Sequence, residues 1–181
     1  MRKVLLVVDF QKDFVDGALG FPGAEALEAP LCRRIERARQ EGWAVWFTLD
    51  THHADYLRTQ EGRRLPTPHC IEGTPGWALY GRVADLRREE DVCFCKGALG
   101  SRELLLYLMD HPVEEIELCG LVSNMCVLSN AVVCKAALPE CRVAVNEALT
   151  RSFDPALHAK AMDVLRGVQI DVLGGGGADA H

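Results

Sequence analysis

The chain has 181 residues, 49% of them hydrophobic and 25% charged, with a formal net charge of -6. That length and balance suit one α/β domain with an ordinary core, expected over residues 1–173 with a flexible tail over 174–181. Apart from Arg2-Lys3 at the start, basic residues cluster only as the pairs Arg33-Arg34, Arg63-Arg64 and Arg87-Arg88, too little for a phosphate-binding stripe, so nucleic acid is not an expected partner. The N-terminal apolar run Val4–Val8 stops at Asp9, too short for a signal or membrane segment, so a cytoplasmic protein without membrane contact is expected. The eight cysteines mostly sit inside apolar runs and read as reduced thiols.

In chain order, Lys3–Asp9 reads as a buried strand that delivers Asp9 to its C-terminal end, where ligands of open parallel sheets gather. Asp9 could equally cap a turn. Asp13 and Phe14 follow in a loop. From Ala24 to Gln40, apolar Leu27, Leu31, Ile35 and Ala38 recur at helical spacing, with Pro30 marking a first turn and Gly42 a stop. Trp43–Leu49 is the second strand. Directly after it come Asp50 and His52, two apart and so on one side of a strand end, a pairing common among ligands for zinc, iron or manganese. The segment 54–77 reads as a long Pro- and Gly-rich loop. It carries His69 between prolines as a possible third ligand.

Val92–Cys95 is a short strand, with Lys96 immediately after it. Ser101–Met109 is a helix capped by Ser101. Glu115–Gly120 is the central strand, and Asn124–Ala137 a helix that opens near Cys126. A cysteine in that first turn faces unpaired backbone N–H groups and the positive helix end, which favours the thiolate. Arg142–Val145 is a further strand, Asp154–Leu165 a helix with Pro155 at its first position, and Val168–Val172 the last strand. Alternating strands and helices predict a three-layer α/β sandwich with a mainly parallel central sheet. In such a sheet Asp9, Lys96 and Cys126 reach one rim, although they lie far apart in the chain.

Five fragments occur in order: Val7-Val8-Asp9-Phe10-Gln11-Lys12-Asp13-Phe14, Asp50-Thr51-His52, Pro68-His69-Cys70-Ile71-Glu72-Gly73-Thr74, Lys96, and Gly120-Leu121-Val122-Ser123-Asn124-Met125-Cys126-Val127. With them the sequence resembles the isochorismatase-like cysteine hydrolases, and within them the nicotinamidases. The resemblance implies a catalytic triad of Asp9, Lys96 and Cys126, and a divalent metal ion, zinc, iron or manganese, on Asp50, His52 and His69. It also implies a cis peptide between Leu121 and Val122, an oxyanion hole from the Val122 and Cys126 N–H groups, and Phe14 as a wall for an aromatic ring. The expected chemistry is hydrolysis of a small amide, nicotinamide first, through a thioester on Cys126, in pyridine nucleotide salvage. A homo-oligomer is expected by the same resemblance.

Four departures from the family pattern bear on substrate. Asn124 stands where an aspartate is usual, and Gly97-Ala98-Leu99-Gly100 follows Lys96. No tryptophan precedes Pro68, although Trp77 lies downstream. A further histidine ligand known in some members falls near Leu57, with His53 as a neighbour. These leave open an N-carbamoyl, ureido or other small amide substrate, and a non-catalytic binding member of the fold.

Overall fold

A computed structural model describes residues 2–174; the expected tail beyond Gly174 lies outside them. Six strands form one sheet: β1 (Lys3–Val8), β2 (Ala44–Asp50), β3 (Cys93–Lys96), β4 (Glu115–Leu121), β5 (Arg142–Arg151) and β6 (Asp171–Leu173). Their order is β3-β2-β1-β4-β5-β6, and every pair is parallel. Chain direction across the sheet therefore reverses between β1 and β4, the crevice where ligands of open α/β sheets bind.

Alternation along β1 explains the three layers. Val4, Leu6 and Val8 pack one face against Leu104, Leu108, Val127, Ala131, Met162 and Leu165. These come from α5 (Arg102–Asp110), α6 (Leu128–Ala137), α7 (Pro155–Gly167) and the turn before α6. Leu5 and Val7 pack the other face against Leu27, Leu31, Ile35 and Ala38, the spacing read from the sequence, and against Val83. That layer is built from α2 (Glu28–Gln40) and α4 (Gly81–Leu86), while α1 (Lys12–Val15) and α3 (Gln60–Arg64) lie in the loops above the rim.

The expected caps form. Ser101 Oγ accepts from Leu104 N–H at 3.1 Å, and Asp154 Oδ1 from Ala156 N–H at 2.8 Å. Several boundaries differ. β5 runs to Arg151 because it resumes after a register shift opposite Leu118/Gly120, past the polar Asn146-Glu147 that ends the apolar run in sequence. The last strand starts at Asp171, since Val168 N–H still bonds to Val164 O at the end of α7. Segment 54–77 is not a bare loop but holds 3₁₀ turns at Tyr56–Arg58 and Pro75–Trp77 with α3 between them. Nor does α-helix begin at Asn124: Ser123–Val127 form a π turn, and α6 starts at Leu128. All eight cysteines are unpaired. Among the described residues, no helix is long and apolar enough to cross a membrane.

Candidate active site

The residues singled out in the sequence converge at the carboxyl rim around β1 and β4. Asp9 leaves β1 at a positive φ of 43° that puts its carboxylate under the crevice, a backbone region that aspartate tolerates better than most side chains. Thr48 of β2 donates its hydroxyl to Asp9 Oδ1 at 2.6 Å. Lys96, buried at the end of β3, places Nζ 2.7 Å from Asp9 Oδ2, 3.0 Å from Asp50 Oδ1 and 3.4 Å from Cys126 Sγ. One ammonium thus joins the acid, the thiol and the second carboxylate.

Burial and these neighbours set the protonation states. Burial drives the Asp9 carboxyl above its ordinary value against the pull of Lys96, which makes it a stronger base than a surface aspartate. Burial disfavours the lysine charge, yet Asp9, Cys126 and Asp50 outweigh it and hold Lys96 protonated. Burial also pushes the Cys126 thiol well up; Lys96 opposes this, and the two nearby aspartates add to it. The thiolate expected from a helix start is therefore not the resting form. The sulfur rests as a thiol beside a carboxylate able to take its proton.

The turn that carries Cys126 is held on both sides. The Leu121–Val122 peptide preceding it is cis, as the resemblance implied. Asn130, one turn into α6, donates to Cys126 O at 2.8 Å and to Leu99 O at 3.1 Å, and accepts Ser101 N–H at 2.9 Å. That buried amide ties the Cys126 turn to the loop after Lys96. Its role escapes a reading of sequence because all its partners are backbone groups, two of them in the distant segment of Leu99 and Ser101.

Beside Asp9, Lys96 and Cys126 lies a second cluster. His52 Nε2 and His69 Nε2 approach the same oxygen, Asp50 Oδ2, at 3.0 and 3.2 Å, and lie 3.7 and 3.9 Å from Glu61 Oε1. One ligand atom from each of the four residues falls within 4.8 Å of the others. Ligands of a tetrahedral ion at about 2.1 Å stand roughly 3.4 Å apart, so two imidazole nitrogens and two carboxylate oxygens at these separations fit a divalent metal. His69 Nδ1 faces Thr67 O at 2.8 Å, which keeps the proton on that nitrogen and turns Nε2 toward the cluster. Asp50 sits well below the usual carboxylate range, because His52, His69 and Lys96 outweigh its burial.

Glu61 was not anticipated, since it stands on the five-residue α3 inside what reads as loop. His53, near the place of a further family ligand, lies outside the cluster: it is exposed and faces Glu72 at 3.5 Å. Two other side chains fix the ligand segments. Gln11 brackets Asp50, donating to Asp50 O at 2.9 Å and accepting Asp50 N–H at 2.7 Å. Asp13 accepts Cys70 N–H at 2.7 Å and so anchors the segment of His69.

Above both clusters opens a cavity of about 260 Å³. Cys126, Val122, Asp50, Glu61 and His69 border it on one side, and Phe14, Leu19, Leu65, Leu99, Met125 and Phe153 make the rest apolar. Phe14, expected as an aromatic wall, lines this cavity and meets the His69 ring edge-on at 5.6 Å. Trp77 does not take the missing tryptophan's part; its Nε1 donates to Thr51 Oγ1 at 2.9 Å.

Comparison with known proteins places the chain in a family. The family model described as the isochorismatase domain matches residues 3–174. The isochorismatase family protein PncA of Bacillus subtilis is 30% identical over 174 residues, covering 90% of this chain and 93% of that protein. The crystal structure of nicotinamidase PncA from Bacillus subtilis superposes with a TM-score of 0.82 at 28% identity, over 95% of this chain and 99% of that one. Pyrazinamidase of Pyrococcus horikoshii, solved in complex with zinc, shares the fold with a TM-score of 0.83 at 24% identity, over 96% and 99% of the two chains.

Proposed function

The chain belongs to the isochorismatase domain family and is a hydrolase of amide C–N bonds, and from that premise we propose that it is a nicotinamidase. It converts nicotinamide and water to nicotinate and ammonia through a thioester on Cys126. The observation that carries this reading is the position of Lys96 Nζ, 2.7 Å from Asp9 and 3.4 Å from Cys126 Sγ, with Cys126 itself lining an apolar cavity that Asp50, Glu61 and His69 also border.

The pyridine ring lies between Phe14 and the apolar wall, with its carboxamide over the sulfur. Asp9 takes the Cys126 proton as sulfur attacks the carbonyl carbon, and the N–H groups of Val122 and Cys126 receive the charge that develops on oxygen. As the tetrahedral adduct collapses, Asp9 returns the proton to the amide nitrogen and ammonia leaves. The same carboxylate then deprotonates the water that cleaves the thioester, and the released thiol recovers a proton. Throughout, Lys96 stays cationic and balances the charge shuttled between Asp9 and sulfur.

Asp50, His52, Glu61 and His69 would hold a divalent ion, zinc foremost with iron or manganese as substitutes, which would supply Lewis acidity for orienting the substrate. That the Pyrococcus relative was solved with zinc supports this choice. The same reading puts the enzyme in cytoplasmic pyridine nucleotide salvage, acting on a small molecule as a homo-oligomer.

One observation favours a second substrate class. Leu65 and Leu99 occupy the wall, and no tryptophan borders the cavity among the described residues, which suits another small amide or ureido compound. Ammonia release from nicotinamide and from an N-carbamoyl compound, by zinc-loaded and chelator-treated protein, separates the two. A nicotinamide preference with at least a tenfold loss on chelation is expected. Faster, chelator-indifferent turnover of the ureido compound would replace nicotinamidase with the second reading.

A further inference from the structure

A buried polar contact behind the nucleophile turn has no part in the chemistry above. Ser123, the first residue of the π turn, is fully buried, and its Oγ lies 2.9 Å from His158 Nδ1 on α7. The other ring nitrogen of His158 faces Glu147 Oε1 of β5 at 3.7 Å, and Glu147 Oε2 in turn faces Arg166 at 3.7 Å. A carboxylate on the Nε2 side favours the proton there, which leaves Nδ1 bare to accept the Ser123 hydroxyl. Burial holds His158 below its ordinary value; Glu147 opposes this and Arg151 reinforces it, so the neutral ring is the resting form.

The turn this contact grips is the one that must be aimed. Ser123 follows Val122 directly and precedes Cys126 by three residues, and its carbonyl accepts from Leu128 N–H, the bond that closes the π turn. A π turn has fewer close contacts than α-helix and is common at functional sites, so its geometry depends on outside support. Asn130 grips the Cys126 carbonyl from within α6, while His158 grips the other end of the turn from α7.

We propose that His158 is a positioning residue for the reaction: by accepting the Ser123 hydroxyl it fixes the turn that directs the Cys126 sulfur and the Val122 amide at the substrate carbonyl. The inference rests on Cys126 being the nucleophile. It touches no substrate, so its loss acts on the chemical step rather than on binding.

Steady-state kinetics on the metal-loaded protein test it. His158→Leu and Ser123→Ala are each expected to lower kcat by about ten- to a hundredfold, since small misplacements of reacting groups have effects of that size, with KM within about twofold. The double variant should be no slower than the slower single one, because both changes remove the same contact. His158→Asn, whose amide oxygen can stand near the place of Nδ1, should recover most of kcat. Multiplying losses in the double variant, or His158→Asn as slow as His158→Leu, would overturn the proposal; so would wild-type kcat in Ser123→Ala, a change small enough to fold if His158→Leu does not. Turnover by Cys126→Ala in the same assay would instead remove the premise, so the two failures are distinguishable.

Discussion

Lys96 has three protons and four acceptors: Asp9 Oδ2, Asp50 Oδ1, Ala98 O and Cys126 Sγ at 2.7 to 3.4 Å. A buried cation in this position offsets two buried carboxylates at once. Lys96→Met would leave Asp9 without a counter-charge and Asp50 with only His52 and His69, and loss of one partner from a buried ion pair costs about 3–5 kcal/mol. Urea denaturation should show a loss of that order, together with loss of turnover; an unchanged midpoint would contradict the network. Asp50 carries the pH dependence of the same network. Its pKa is lowered on folding, so the stability it contributes is present above its ordinary value of 3.8 and drains away as pH falls below it. In metal-free protein, the denaturation midpoint should drop between pH 5 and 3 by more in wild type than in Asp50→Asn.

At this scale the sequence was legible where a side chain does its work at a strand end. Asp9, Asp50, His52 and Lys96 all follow apolar runs whose termination can be seen. Cys126 follows a run ending in Gly120 and a polar pair. Glu61, Thr48, Gln11 and Asn130 were not legible, because each matters through a partner 8 to 39 residues away or through backbone groups, and no local pattern marks that. His53 illustrates the reverse: proximity in sequence to a ligand pair did not bring it into the cluster, since alternate residues of an extended segment point to opposite sides.

Among the elements, β1 and β4 matter most, because the site opens between their ends. Gly120 lies in β4 at φ 105°, and a Cβ there would collide with the Val8 carbonyl of β1. Only glycine combines that backbone with so close an approach. Gly120→Ala should therefore separate the strand ends that deliver Asp9 and the Cys126 turn. We expect a loss of at least about 2 kcal/mol in stability and a larger proportional loss of turnover, read by thermal unfolding and kinetics. Wild-type behaviour in both would show the approach to be dispensable. Long, periodic elements such as α2 and the caps of α5 and α7 could be read from sequence. The four- to six-residue helices α1, α3 and α4 could not, since a turn or so of helix presents too few residues to establish a 3.6 period.

Over the whole molecule, reversal of strand order between β1 and β4 gathers residues from positions 9 to 126 at one rim, while both sheet faces stay buried under helices. The parallel sandwich itself was legible because buried parallel strands read as unbroken apolar runs separated by amphipathic helices. What was not legible is how segment 54–77 folds over that rim to bring Glu61 and His69 against Asp50 and His52. A metal held by the proposed set, drawn from β2 and the residues just after it, α3 and the loop between α3 and α4, would couple to folding of the whole, since an ion bound only by the native state adds stability by mass action. Free zinc at about a hundred times Kd should add about 2.7 kcal/mol, and at the same zinc concentration Glu61→Gln should gain less. Equal gains would place Glu61 outside the ligand set.

The most direct test of the account is ammonia release from nicotinamide by metal-loaded Cys126→Ala, with circular dichroism and metal content matched to wild type. Loss of turnover by about three orders of magnitude or more is predicted, because without the sulfur no thioester forms. Turnover within tenfold of wild type would contradict a cysteine nucleophile at this site.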